Sequence, residues 1–211
     1  MSHPSPDWKT LLREEATRVG YALSLERVEK VARYFEQLCQ WGSRINLTAS
    51  LEPKILVQKH AVDAFVLAPY LMNESVLKEQ WADVGSGGGL PGVLMSILCE
   101  PKEMTFVEPN HKKASFLSTA VYDLKLPATI RCCKLEESNL NAQDVLMSRA
   151  TWAPETWAEK ALGHVQPMGK IIVFFGKDPG EEWAVPGATL ERNISYSLTD
   201  GSQRWILILK K

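Results

Sequence analysis

The chain has 211 residues, 45% of them hydrophobic, which allows one ordinary domain plus an extension and excludes a disordered chain. Its 24 basic and 25 acidic side chains leave a net charge of −1, which excludes a global basic field. Any contact with nucleic acid would therefore have to rest on a local patch.

Asp7 is placed to cap a helix over Trp8 to Val19 that Gly20 ends. Ser24 is placed to cap the next, whose apolar residues Leu25, Val28, Val31, Phe35, Leu38 and Trp41 recur at helical spacing up to Gly42. Pro53 opens a third helix running through Leu56, Val57, Ala61, Phe65 and Val66 toward Tyr70. From Trp81 the pattern changes to short apolar strands near 80–84, 104–108, 128–132, 144–148 and 170–176. Helices fall between them near 91–99, 110–124 and 154–163. Such alternation implies an α/β fold, a parallel sheet with helices on both faces. The loop 176–187 precedes a last hairpin turning at Asp200-Gly201. The boundary between a helical N-terminal extension and the α/β domain is placed at 75/76, with one compact unit as the alternative.

The segment Asp83-Val84-Gly85-Ser86-Gly87-Gly88-Gly89-Leu90-Pro91-Gly92 follows the first strand and reads as strand, bare backbone turn and helix. Its glycines alternate, unlike the GxGxxG spacing of a dinucleotide site. Asp83 would repel a pyrophosphate but suits the amino group and sulfonium of S-adenosylmethionine. Glu108, ending the next strand, is placed to accept from two ribose hydroxyls. The bland alternative is a surface turn beside a solvated Glu108. After the third strand, Glu136 is a candidate for the adenine edge and Leu135 for packing on the ring. Arg149, at the end of the fourth strand, points into the cleft of such a sheet, with pairing to a carboxylate such as Asp83 or Glu108 as the structural alternative. Asn110 reads first as an N-cap. His60 and Asp63, one helical turn apart, read first as a hydrogen-bonded pair. Asn46 and Thr48 read as a local turn or cap. For Trp152, Trp157 and Trp183, core packing competes with base stacking.

Cys39, Cys99, Cys132 and Cys133 have neither CxxC nor zinc spacing, so reduced thiols and no metal are expected. The first seven residues lack the pattern of a signal peptide, and no run is read as long enough to span a bilayer, so no membrane partner is expected.

Arg44-Ile45-Asn46-Leu47-Thr48, Lys59-His60-Ala61-Val62-Asp63, the glycine segment and Ser148-Arg149-Ala150 occur in that order. From about Tyr34 to Gly176 the chain thereby resembles the RsmG (GidB) family of bacterial ribosomal RNA methyltransferases. The resemblance implies a class I, Rossmann-like methyltransferase sheet with an antiparallel C-terminal hairpin and a helical N-terminal extension. It also implies methyl transfer from S-adenosylmethionine to N7 of one guanine in the decoding-region loop of 16S rRNA, free or in the small ribosomal subunit. The resemblance implies cofactor contacts at Gly85, Leu90, Leu135, Glu136 and Arg149, with Glu108 where the family places an acid for the ribose; the glycine turn itself adds Asp83 and Gly87 as expected contacts. Guanine N7 has a lone pair and no proton, so no general base is needed, and Arg149, Asn46 and His60 are expected to position rather than catalyse. Lys59, Lys112, Lys113, Lys134 and Lys177 are candidates for a local RNA-binding patch. A monomer acting in the cytoplasm is expected. Competing readings are a small-molecule methyltransferase, an NAD-dependent oxidoreductase and a non-catalytic RNA-binding factor.

Overall fold

The computed structural model describes residues 6–72, 79–180 and 183–211. Helix α1 (Trp8–Arg18) starts where the Asp7 carboxylate accepts from Thr10 N at 3.1 Å, and α2 (Leu25–Gly42) where the Ser24 hydroxyl accepts from Arg27 N at 3.3 Å. Pro53 opens α3 (Pro53–Ile55), which continues through a π-helical turn (Leu56–Ala61) into α4 (Val62–Met72). π turns concentrate at functional sites, and this one carries Lys59 and His60.

By length and composition the run Pro53–Met72 is apolar enough to cross a membrane, which corrects the sequence expectation that none is. Leu56, Val57, Phe65, Leu67 and Leu71 along it are buried against the rest of the protein, as in a helix that is apolar all round because it is a core element.

The α/β part runs β1 (Gln80–Val84), α5 (Gly92–Cys99), β2 (Glu103–Val107), α6 (His111–Leu124), β3 (Ala128–Arg131), β4 (Gln143–Ser148), α7 (Pro154–Leu162), β5 (Val165–Phe175), β6 (Thr189–Ser197) and β7 (Gln203–Lys210). The seven strands lie in the order β3-β2-β1-β4-β5-β7-β6, parallel except for β7, which is antiparallel to both β5 and β6. Strand β5 starts earlier than the sequence suggests. Val165 pairs with Gln143 and, past an irregularity, Lys170 pairs with Val145. A bulge between Leu190 and Arg192 turns Glu191 inward to meet the buried Lys170 at 3.1 Å.

The pleat sorts the strand residues onto two faces. Trp81, Met104, Phe106, Val145, Met147, Ile172, Ile206 and Ile208 join α1, α2, α4, α5 and α6 in one cluster. Ala82, Val84, Val107, Leu146, Ile171, Val173, Leu207 and Leu209 pack with Trp157, Ala158 and Ala161 of α7 in the other. The helices before β1 thus share a core with the sheet. Polar ties reinforce this. Buried Glu15 accepts from Arg18 Nε at 2.7 Å and from Thr199 Oγ1 at 3.2 Å, and Arg18 Nη1 donates to Ser197 O at 3.0 Å. These bonds fasten α1 to the C-terminal hairpin.

Candidate active site

Strand order reverses between β1 and β4, and a crevice opens beyond their carboxyl ends. The glycine turn after β1 forms its floor. Gly85, Gly87 and Gly89 all take positive φ (70°, 57° and 86°), which residues with a Cβ rarely adopt. Gly88 is required for a different reason. A Cβ there would sit 2.9 Å from Leu47 O and 3.1 Å from Leu38, because the N-terminal helices press directly on the turn. Tyr34, buried in α2, donates to Gly88 O at 2.5 Å and fixes the same peptide. Pro91 precedes α5 rather than starting it, after a cis Leu90-Pro91 bond.

Two adjoining clefts share Gly85, Pro109 and Thr151 and so form one trough. The larger, about 460 Å³, is bounded by Thr48, His60, the turn from Gly85 to Gly88, Leu90, Glu108, Lys113 and Arg149. The smaller, about 390 Å³, lies between Leu135 and Glu136 on one side and Trp152 on the other. Glu108 borders the larger cleft. Its Oε2 accepts from Gly87 N at 2.7 Å and its Oε1 from Asn110 N at 2.9 Å, leaving further lone pairs on each oxygen. Asn110 also caps α6 through Lys112 N and Lys113 N. Glu136 is exposed and accepts from Lys160 Nζ at 2.8 Å, which holds its carboxyl below the ordinary carboxylate range.

Asp83 lies elsewhere. It bounds neither cleft and is 1% exposed, with Oδ2 accepting from Gly92 N at 3.2 Å at the start of α5. The pleat explains this, since Asp83 shares its side of β1 with Trp81, under the helices. A Cβ on Gly92 would come within 2.4 Å of Asp83 Oδ2, so glycine there makes the room. Burial pushes the Asp83 carboxyl up to about 7, against the opposing pull of the Gly92 N–H and Arg149.

Arg149 is satisfied by a third carboxylate, neither Asp83 nor Glu108. Its Nη1 meets Asp63 Oδ2 at 2.6 Å, and its Nη2 meets His60 Nδ1 at 2.5 Å. Tyr196 of β6 donates to the other Asp63 oxygen at 2.5 Å, and His60 Nε2 lies 3.4 Å from Thr48 Oγ1. Burial first, and then the charges of Arg149, Arg204 and Lys59, push His60 down to about 3. Burial beside the Asp63 carboxylate raises the Tyr196 hydroxyl well above its ordinary range. The chain Thr48–His60–Arg149–Asp63–Tyr196 therefore joins the N-terminal helices, the end of β4 and the edge hairpin. His60 and Asp63 were expected to bond each other; they converge on Arg149 instead.

Asn46 is exposed beside Leu47 and Thr48, which bound the cleft. Lys113 lines the larger cleft and Lys134 the smaller, while Lys112 and Lys177 are exposed. Lys59 is paired with Asp200 at 3.0 Å. Trp157 is core, donating from Nε1 to Ile172 O at 2.9 Å, and Trp152 stacks on it at 5.8 Å. Trp183 packs edge-on against Phe175. Among the described residues no group of three His, Cys, Asp or Glu is placed to hold a metal ion. Sequence reasoning missed Thr151 and Tyr196. Tyr196 lies 133 positions from its partner, and no local pattern points to that pairing.

A family model for the rRNA small subunit methyltransferase G matches residues 27–198. The ribosomal RNA small subunit methyltransferase G of Pseudomonas putida (strain GB-1) is 36% identical over 98% of this chain and 97% of that protein. Its counterpart from Pseudomonas aeruginosa (strain LESB58) is 36% identical over 95% and 94%. Among solved structures, an S-adenosylmethionine-dependent methyltransferase of Leishmania major superposes with a TM-score of 0.57 at 16% identity, over 84% of this chain and 83% of that one. TYW2 of M. jannaschii, solved in complex with AdoMet, gives 0.56 at 13% identity, over 80% and 78%. Both likenesses are likenesses of fold.

Proposed function

As the chain belongs to the rRNA small subunit methyltransferase G family, we propose that it methylates N7 of one guanine in the decoding-region loop of 16S rRNA, the position numbered 527. Its methyl donor is S-adenosylmethionine. The trough fits that donor. Leu135 and Trp152 offer apolar walls for a purine, and Glu108 keeps lone pairs for two ribose hydroxyls. At Gly87 a Cβ would meet nothing nearer than Gly85 O at 3.9 Å, so the missing side chain leaves open space beside the turn. When bound, the donor supplies an electrophilic methyl group on a cationic sulfur.

The observation that carries the guanine-N7 reading is that, among the described residues, no side chain bounding the larger cleft is left over to act as a base. His60 is neutral, with its Nδ1 lone pair facing Arg149. In this reading the remaining lone pairs of Glu108, which two backbone N–H groups hold in place, are taken up by the donor ribose. Lys113 and Arg149 are cations. Such a site suits a nucleophile that has no proton to lose, as guanine N7 has none. The protein's task is then to align the base with the methyl group and to exclude water, and alignment of this kind is worth roughly 7–11 kcal/mol. N7 lies in the major groove, which is deep and narrow in A-form RNA, so the target guanine sits in an open loop.

The test is transfer of labelled methyl to small subunits from a strain lacking this gene, followed by mapping of the modified base. The expected product is a single N7-methylguanine in the decoding-region loop. Label at another base, or only in a small acceptor, would overturn the proposal.

A further inference from the structure

We propose that Thr48 reads the target base: its hydroxyl donates to O6 of the guanine whose N7 takes the methyl, with His60 and Arg149 as positioning residues that act through it. This inference rests on the guanine-N7 reading of the site.

The hydrogen-bond directions are fixed from one end. A guanidinium carries only donors, so the His60 Nδ1 that Arg149 Nη2 meets at 2.5 Å is unprotonated. The ring proton of neutral His60 therefore sits on Nε2. Nε2 faces Thr48 Oγ1 at 3.4 Å and donates to it. One lone pair of the Thr48 oxygen is thereby taken, and the hydroxyl hydrogen must go to another acceptor. Among the described residues Thr48 has no other hydrogen-bond partner, and it faces the larger cleft. Its position is set by its neighbour, since buried Leu47 lies with its carbonyl against Gly88. Arg149 is in turn fixed by Asp63 at 2.6 Å. The cleft thus presents one oriented donor beside the glycine turn.

Guanine offers two acceptors side by side on that edge, N7 and O6, where adenine places an amino donor next to N7. A hydroxyl constrained to donate pairs with O6 and meets a second donor in adenine. Held by O6, the base keeps its N7 lone pair free. In the transfer the N7 lone pair forms the new N–C bond, the S–C bond breaks, and its electron pair stays on sulfur. No proton moves, and Thr48 keeps its own.

The full-length protein is assayed on small subunits or 16S RNA carrying either guanine or 2-aminopurine at the target. 2-Aminopurine retains N7 and has hydrogen in place of O6. Thr48→Val removes the hydroxyl at constant shape, and Thr48→Ser keeps it. On guanine, Thr48→Val is expected to lower kcat/KM about tenfold to hundredfold, with Thr48→Ser within about threefold of wild type. Donor Kd and Tm should stay at wild-type values. On 2-aminopurine the wild-type protein should fall to the level of Thr48→Val, with no further loss in the variant. His60→Gln should follow the same pattern, costly on guanine and silent on 2-aminopurine, which a purely structural role would not produce. The inference is overturned if the losses from Thr48→Val and from 2-aminopurine multiply, or if Thr48→Ser is as poor as Thr48→Val. A wild-type protein that makes no N7-methylguanine on the natural RNA would instead remove the guanine-N7 reading, and this inference with it.

Discussion

Arg149, at the end of β4, and Asp63, in the first turn of α4, meet at 2.6 Å in a pair that is 15% and 1% exposed. Their bond ties the strand that carries the cleft wall to the helical run before β1. Breaking a buried pair from one side strands the other charge, which costs about 3–5 kcal/mol. Asp63→Ala is expected to lower unfolding stability by about 3 kcal/mol, because it strands Arg149 and also frees Tyr196. Arg149→Ala should cost a similar amount, and the double variant less than the sum, since each single change already removes the shared bond. Urea denaturation of the four proteins measures the coupling. Strict additivity would show that the pair is not linked.

Asp83 and His60 impose opposite pH dependences. Asp83 rises from an ordinary 3.8 to about 7, so the folded protein holds that proton more tightly than the unfolded chain does. Its contribution is full below pH 3.8 and is lost as pH climbs toward 7, a change of at most ~4 kcal/mol. His60 falls from 6.5 to about 3, so its contribution is present above pH 6.5 and is lost as pH drops toward 3. Between pH 4 and 6.5 the two slopes oppose each other. Asp83→Asn should therefore gain stability relative to wild type as pH rises from 4 to 8. His60→Gln should gain relative to wild type as pH falls from 7 to 4. Tm measured across that range for the three proteins checks both signs.

What the sequence made legible was local. The Asp7, Ser24 and Asn110 caps, the glycine turn and the Asp-Gly hairpin each depend on residues a few positions apart, and each forms where its residues lie. Glu108, Leu135 and Glu136 border the clefts because they close or follow successive strands, which a parallel sheet converts into a common edge. The side to which Asp83 turns was also readable, because strand alternation puts it with Trp81 and not with Ala82 and Val84. Its nearness to the glycines in sequence is what suggested otherwise. The partner of Arg149 was not readable. Asp63 is 86 positions away, on a helix whose packing follows from the whole core, and Tyr196 reaches it from a strand at the far edge of the sheet.

Neighbouring glycines of the turn should fail differently. Gly87→Ala puts a methyl group into the open trough and forces an L residue to φ 57°, at about 1 kcal/mol. Gly88→Ala drives a Cβ into Leu47 O. Donor titration by calorimetry should show a Kd raised at least about tenfold for Gly87→Ala, with Tm lowered by a few degrees at most. Gly88→Ala should lose more Tm than Gly87→Ala, because the N-terminal helices must move away from the turn. Equal Tm losses would contradict the view that Leu47 and Tyr34 brace this peptide.

The five candidate lysines should not contribute alike to RNA binding. Each cation that neutralises a phosphate steepens the dependence of log Kd on log salt by about 0.7–0.9. Lys113 and Lys134 border the trough, and Lys112 and Lys177 are exposed near the same edge of the sheet, so alanine at a contacting one should flatten the slope by about that amount. Lys59 is held by Asp200 at 3.0 Å, and that contact, after the Ser202 bonds, holds the Asp200 carboxyl well below the ordinary range. Its charge is already offset, so Lys59→Ala should change the slope by less than Lys113→Ala. Asp200→Asn releases the same ammonium and should steepen the slope relative to wild type. Filter binding of the decoding-region RNA between about 50 and 200 mM salt separates the two cases. If Lys59→Ala flattens the slope as much as Lys113→Ala while Asp200→Asn leaves it unchanged, Lys59 turns from Asp200 to phosphate in the complex.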